Sequence, residues 1–225
     1  MAIDRGQLVD LRGGPSAASV TCQVLPPGWP AYEPYCPYTT HPDPGGRWQA
    51  PNLDAARELI DRSGTRGTKV IVGPSVGTLA DVRDYVVTVL QELGFDASAD
   101  TNTDFDYVLQ ASCCPDSPIQ INVWEWFSGK LSPGDFLGPL RCGRNDGTTN
   151  FCDLDYDALV AQATNLQATD VAASLDEWAQ ADRKVVDLAL WAPLFNEGSD
   201  FVSSRVGNYQ FHLYYGALLD QMWIQ

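Results

Sequence analysis

Apolar side chains recur at helical spacing in several stretches of this chain and gather into short continuous runs between them, which predicts alternating helices and buried strands. Ala2 to Leu11 reads as a short amphipathic helix closed by Gly13 and Gly14. From Asn52 to Ser63, Leu53, Ala56, Leu59 and Ile60 fall on one face, and Gly64 supplies the stop. Thr68 to Val72 is a short buried strand, the turn GPSVG follows, and Thr78 to Leu93 carries a stripe of Leu79, Val82, Val86, Val89, Leu90 and Leu93 ahead of Gly94. Phe95 to Ala99 is the next strand, and 118–127 another. This strand, helix, strand order is a βαβ unit with right-handed crossover and predicts an α/β fold, a mixed, mainly parallel sheet flanked by helices. Two helices with acidic starts come next, Asp153–Asn165 and Asp170–Leu190, the second burying Ala172, Leu175, Trp178, Ala179, Val185 and Val186. Trp191–Phe195 and Asp200–Val206 close the series as β segments.

Between the first helix and the second the pattern breaks. CQVLPPGWPAYEPYCPYTTHPDPGGRW has prolines that forbid a helix interior or a central strand, yet it is too aromatic for a disordered linker, so it predicts a stapled loop packed on the surface. The stretch that draws most attention is Pro118 to Leu140. An apolar strand bearing Trp124, Glu125, Trp126 and Phe127 opens there into a Gly/Pro-punctuated loop with Asp135 and Phe136, a place where α/β proteins set a ligand on side chains aimed by a rigid sheet. The same aromatics also suit a core. In the GPSVG turn, backbone N–H groups and Ser75 could meet a carboxylate or phosphate, but without GxGxxG or GKS/T the signal is weak and a plain βα turn is the preferred reading.

Composition narrows the function. The 225 residues are 44% hydrophobic and 11% aromatic, enough for a substantial core, and a formal charge of −15 repels nucleic acid and anionic lipid. No run approaches the length of a membrane span. Cys22 with Cys36 and Cys142 with Cys152 each close a short loop, as in exported proteins, whereas Cys113 and Cys114 are open to a vicinal bridge, free thiols or other pairing. With only His41 and His212 and no CxxC spacing, no metal or other cofactor is expected. MAIDRGQLVDLRGG has no apolar export signal, so an exported protein beginning here reads as a fragment. No GxSxG, HExxH or phosphate-loop motif argues for an enzyme, and Asp153, Asp155 and Asp157 read as helix-start acids.

The order of the pieces resembles the C-terminal lobe of the extracellular solute-binding proteins of ABC importers, peptide/nickel-binding family. AIDRGQLVDLRGG followed by VLPPGWPAYEPY, then NLDAARELIDRSG, VRDYVVTVLQELGFDASAD, WFSGKLSPGDFLGPLRC, NFCDLDYDALVAQA, WAQADRKVVDLALWAPLF and VGNY each resemble a family segment, in the family's order. The resemblance implies one lobe of a type II periplasmic-binding-protein fold. Residues 1–14 would be a helix entering from a missing first lobe, 15–50 the stapled loop, 51–206 the ligand-binding lobe and 207–225 a returning segment. It implies capture of an oligopeptide-like or other amphiphilic solute for import, with the missing N-terminal lobe and the importer's membrane subunits as partners, outside the cytoplasm and anchored as a lipoprotein. Trp126 matches the family's pocket-lining Trp, and Asn150 its Asn before the disulfide-bearing loop. The family's Asp that holds a peptide ammonium group corresponds to Gly129. Either Glu125 or Asp135 supplies the anion instead, or the solute is not held by a free amino terminus. The second is preferred, because strand alternation turns Glu125 away from Trp126. The alternatives are an oligosaccharide-binding member of the family, a hydrolase using Glu125 and Asp135, and a protein-interaction module docking through the aromatic 24–48 loop.

Overall fold

The computed structural model describes residues 1–74, 79–113, 117–143, 151–198, 202–212 and 216–225. Several of its helices begin where a short polar side chain takes an orphaned N–H. Asp4 accepts from Gln7 at the start of α1 (Arg5–Leu11), Asn52 from Ala55 at α2 (Leu53–Ser63), Asp153 from Tyr156 at α6 (Leu154–Leu166), and Asp170 from Ala173 at α7 (Val171–Asp187). Gly64 ends α2 in the left-handed region at φ 66°, where a side chain would be strained. Ala56 and Ile60 of α2 are buried as the periodicity predicts, but Leu59 is exposed.

The predicted βαβ unit is present. β2 (Lys69–Val72) and β3 (Asp96–Ala99) pair in parallel in register from Lys69 with Asp96 to Val72 with Ala99, and α3 (Ala80–Glu92) connects them. Val70, Val72, Val82, Val86 and Ala97 close a core beneath Leu8 of α1. The remaining pairings are antiparallel and short: β1 (Ala18–Val20) with β4 (Phe195–Glu197), β5 (Val206–Gly207) with β8 (Trp223–Ile224), and β6 (Phe211–His212) with β7 (Gly216–Ala217). The fold is mixed α/β, with its sheet broken into these pairs among the described residues.

Some expected elements differ. Residues 118–127 meet β2 through one parallel bridge, Ile121 with Val72, where Gly73 N–H donates to Ile121 O at 2.6 Å. The chain then leaves the sheet, and 122–128 form no ladder, because Trp126 is drawn to partners on the helical side. The following stretch holds a helix, α5 (Pro133–Leu137), with Pro at its first position and a 3-10 turn, Gly138–Leu140, continuing it. The strand expected at 191–195 starts only at Phe195, and of 200–206 only Val206 is in a strand, residues 200 and 201 lying outside the described set. The sequence pattern did not yield α4 (Phe105–Cys113).

A second core gathers α5, α6, α7 and the Pro-rich loop around Leu25, Phe136, Leu137, Tyr156, Val160, Trp178 and Val185. Three hydrogen bonds to Asp182 fasten that loop to α7. Val24 and Leu25 N–H donate to its Oδ1 at 3.1 and 3.3 Å, and Gln23 Nε2 donates to its Oδ2 at 2.7 Å. Cys22 and Cys36 are bridged in the same loop, and Cys142 and Cys152 ahead of α6. Among the described residues, no helix is long and apolar enough to cross a membrane.

Candidate functional site

The site forms where the chain, after Ile121 bridges to β2, leaves the sheet and turns into α5. The buried side of α5 and its 3-10 extension, Pro133, Phe136, Leu137, Pro139 and Leu140, anchors them in the helical core. Tyr156 fixes their height, its hydroxyl donating to Leu137 O at 2.6 Å. Burial, with the charges of Asp182 and Asp157, raises that phenol's pKa, so it stays a donor. Gly134, Asp135 and Gly138 border a cleft of about 400 Å³, a volume in the range of small-molecule sites. Trp126 and Phe127 also line it, with Val160 and Thr164 of α6, Trp178 of α7, and Arg141.

Trp126 is held by its polar edge. Its Nε1–H donates to Asp135 O at 3.0 Å, and its ring lies 5.9 Å from Trp191, tilted by 48°. The Asp135 carboxylate is 3.0 Å from the Ser128 hydroxyl. Trp178, only 2% exposed, has a buried Nε1–H with no acceptor among the described residues, as has Trp48.

Of the residues singled out in the sequence, Trp126, Phe127 and Asp135 come together in this cleft. Trp124 and Gly129 are exposed and do not line it. Glu125 has other company: Arg12, which pairs with it at 3.9 Å and binds Glu197 more closely, while stacking 5.7 Å from the centre of the Phe195 ring. Partial burial, then repulsion from Glu197, raises the Glu125 pKa against the opposing pull of Arg12. Phe136 corrects the expectation of a pocket wall. It is 7% exposed and meets Trp29 edge-on at 4.8 Å, because the helical turn at α5 points it inward. Ser75, Asn150 and Cys114 lie outside the described residues, and Cys113 is the last residue of α4. The acids at the start of α6 are structural: Asp153 caps the helix and pairs with Lys184 at 2.9 Å, and Asp157 accepts from Cys142 N–H at 3.0 Å.

The sequence reading did not place Trp178, Arg141, Gly134 or Thr164 at the site. Trp178 satisfied the apolar period of α7 and so read as core, which it also is. The other three carry no local signal, since only the packing of α5 across α6 and α7 brings them together.

No protein-family model and no curated protein matches the chain. Solved structures do. The clavulanic acid biosynthesis oligopeptide binding protein 2 superposes with a TM-score of 0.79 at 25% identity, over 98% of this chain and 41% of its own. The ABC transporter substrate-binding protein CtaP of Listeria monocytogenes gives 0.77 at 14% identity, over 99% and 45%. A dipeptide binding protein from Pseudoalteromonas sp. SM9913, solved in complex with Met-Leu, gives 0.76 at 16% identity, over 99% and 43%. The chain thus spans less than half the length of each of these proteins while almost all of it is matched. It has the fold of a single lobe of the peptide-binding substrate-binding proteins of ABC importers.

Proposed function

We propose that this chain is the ligand-binding lobe of an ABC-importer receptor that captures an oligopeptide-like or other amphiphilic solute outside the cytoplasm. The observation that carries the reading is the convergence of Trp126, Phe127 and Asp135 on one cleft, in a chain with this fold. Aromatic walls take the apolar parts of a solute, and the polar groups at the rim orient it. A second lobe would close over the solute, and the importer's membrane subunits would receive it. Two disulfides suit an oxidising compartment, where a lipid anchor would keep such a receptor near its transporter. The hydrolase alternative is disfavoured because Glu125 and Asp135 have different partners, Arg12 with Glu197 for one and Ser128 for the other.

The test is calorimetric titration of the protein with its second lobe restored, against pooled di- to pentapeptides and separately against pooled oligosaccharides. Saturable heat with peptides supports the reading. If acetylating the peptide α-amino group abolishes it, a carboxylate here replaces the anion absent at Gly129. Heat with oligosaccharides alone shifts the solute class to sugars stacked on Trp126, and heat with neither overturns the reading.

A further inference from the structure

We propose that Asp182 and Gln23 form a proton-operated latch between α7 and the Pro-rich loop: when Asp182 takes up a proton, the Gln23 amide turns over and the Tyr35 N–H loses its acceptor. The latch is independent of which solute the cleft takes. Both of its working side chains are in the core, Asp182 being 1% and Gln23 3% exposed. Asp182 Oδ1 accepts from Val24 and Leu25 N–H, and Oδ2 accepts from Gln23 Nε2. At the other side of the same amide, Gln23 Oε1 accepts from Tyr35 N–H at 2.6 Å.

A carboxylate can only accept and a backbone N–H can only donate, so these two neighbours fix the Gln23 amide with its nitrogen toward Asp182 and its oxygen toward Tyr35. A protonated Asp182 reverses one of those demands. Oδ1 already meets two backbone donors, so the proton goes to Oδ2, where it opposes the Gln23 Nε2 donor. Turning the amide over lets Oε1 accept from the acid O–H, but it sets Nε2 against Tyr35 N–H, a second pair of donors that must separate. The segment around Tyr35 then keeps its surface contacts, Arg183 with Glu33 and the Tyr35 hydroxyl with Asp187, and gives up its tie to Gln23.

The charges around Asp182 permit this titration. Arg183, its neighbour on α7, is engaged with Glu33 at 2.6 Å and lies over the Tyr35 ring, so it draws on Asp182 from a distance. Tyr32 of the loop and Tyr156 of α6 feel the Asp182 charge as phenols that burial keeps protonated. Burial outweighs the three donors and Arg183, and pushes the carboxyl up to about 6. Protons reach it during local openings of the loop, whose Glu33 and Pro34 are exposed.

The test is a pH titration of the 225-residue chain, labelled with 15N and 13C, that follows the Tyr35 amide and the Asp182 carboxyl carbon. As pH falls through about 6, the Tyr35 proton should move upfield in step with the carboxyl, and its protection from exchange should drop about tenfold, the loss of one hydrogen bond. Asp182→Asn presents an amide donor to Gln23 at every pH, so there the Tyr35 signal should stand at its acid position and not titrate. A Tyr35 signal that stays put while the carboxyl titrates overturns the proposal. So does one that still titrates in Asp182→Asn, which would assign the effect to Glu33 or Asp187. If Asp182→Asn does not fold, the wild-type curves decide: coincident midpoints support the latch, and separate ones, or a carboxyl midpoint near the ordinary 3.8, overturn it.

Discussion

Asp182 shows how much a single side chain organises. It lies on the inward face of α7 with Trp178, Ala181 and Val185, and its carboxylate collects three donors from residues 23–25. Burial raises its pKa to about 6 despite those donors and the nearby charge of Arg183. An acid whose folded pKa exceeds its unfolded value binds more protons when folded. Its contribution is therefore full below about pH 4 and is lost as pH rises through 6. Between pH 4 and pH 7 the stability of the wild type relative to Asp182→Asn should fall by up to about 3 kcal/mol, measured from urea midpoints. A carboxyl carbon titrating in NMR near its ordinary value would refute this. At Phe136 the prediction separates core from pocket: Phe136→Ala should cost about 3–5 kcal/mol of stability, read by chemical denaturation, since it empties a packed site against Trp29. The sequence carried a hint of Asp182, an acid set in an apolar stripe. It carried none of the inward turn of Phe136, because whether one aromatic faces a ligand or a core depends on the local backbone.

Among the elements, those defined by local chemistry were legible. Capping side chains and glycine stops located α1, α2, α6 and α7, and the apolar run of β2 with the α3 stripe located the parallel pair. The 118–127 segment was not, because pairing is a relation between distant segments and its alternation of aromatics suits a strand or an extended wall equally. The Pro-rich loop shows how an element without periodic structure is held. Its Cys22–Cys36 bridge closes the loop on itself, while the Tyr35 hydroxyl bond to Asp187 at 2.5 Å and the Trp29 contact with Phe136 fasten it to the helical core. Replacing both cysteines with alanine should lower stability by about 3 kcal/mol in denaturant titrations, the chain-entropy expectation for a loop of this length. A midpoint unchanged by the double substitution would show that the hydrogen bonds to Asp182 suffice.

At the scale of the whole molecule, one segment exposes a run of large apolar side chains. Trp124 is 44%, Phe127 78% and Leu131 62% exposed, beside the cleft. On the two-lobed reading proposed above, a sister lobe would cover this surface, whereas in this chain it faces water. Small-angle scattering should therefore show an apparent mass that rises with concentration. Phe127→Ser should suppress the rise without moving the unfolding midpoint, and a mass independent of concentration would count against this surface.

The two indoles of Trp126 and Trp191, 5.9 Å apart and tilted by 48°, carry a different consequence. Transition dipoles this close and oblique mix their excited states and give a paired signal in circular dichroism. Because Trp126 is pinned through its N–H to the carbonyl of Asp135, a shift of α5 would rotate one oscillator against the other. Were a solute to occupy the proposed cleft and shift α5, that signal would report it without any label.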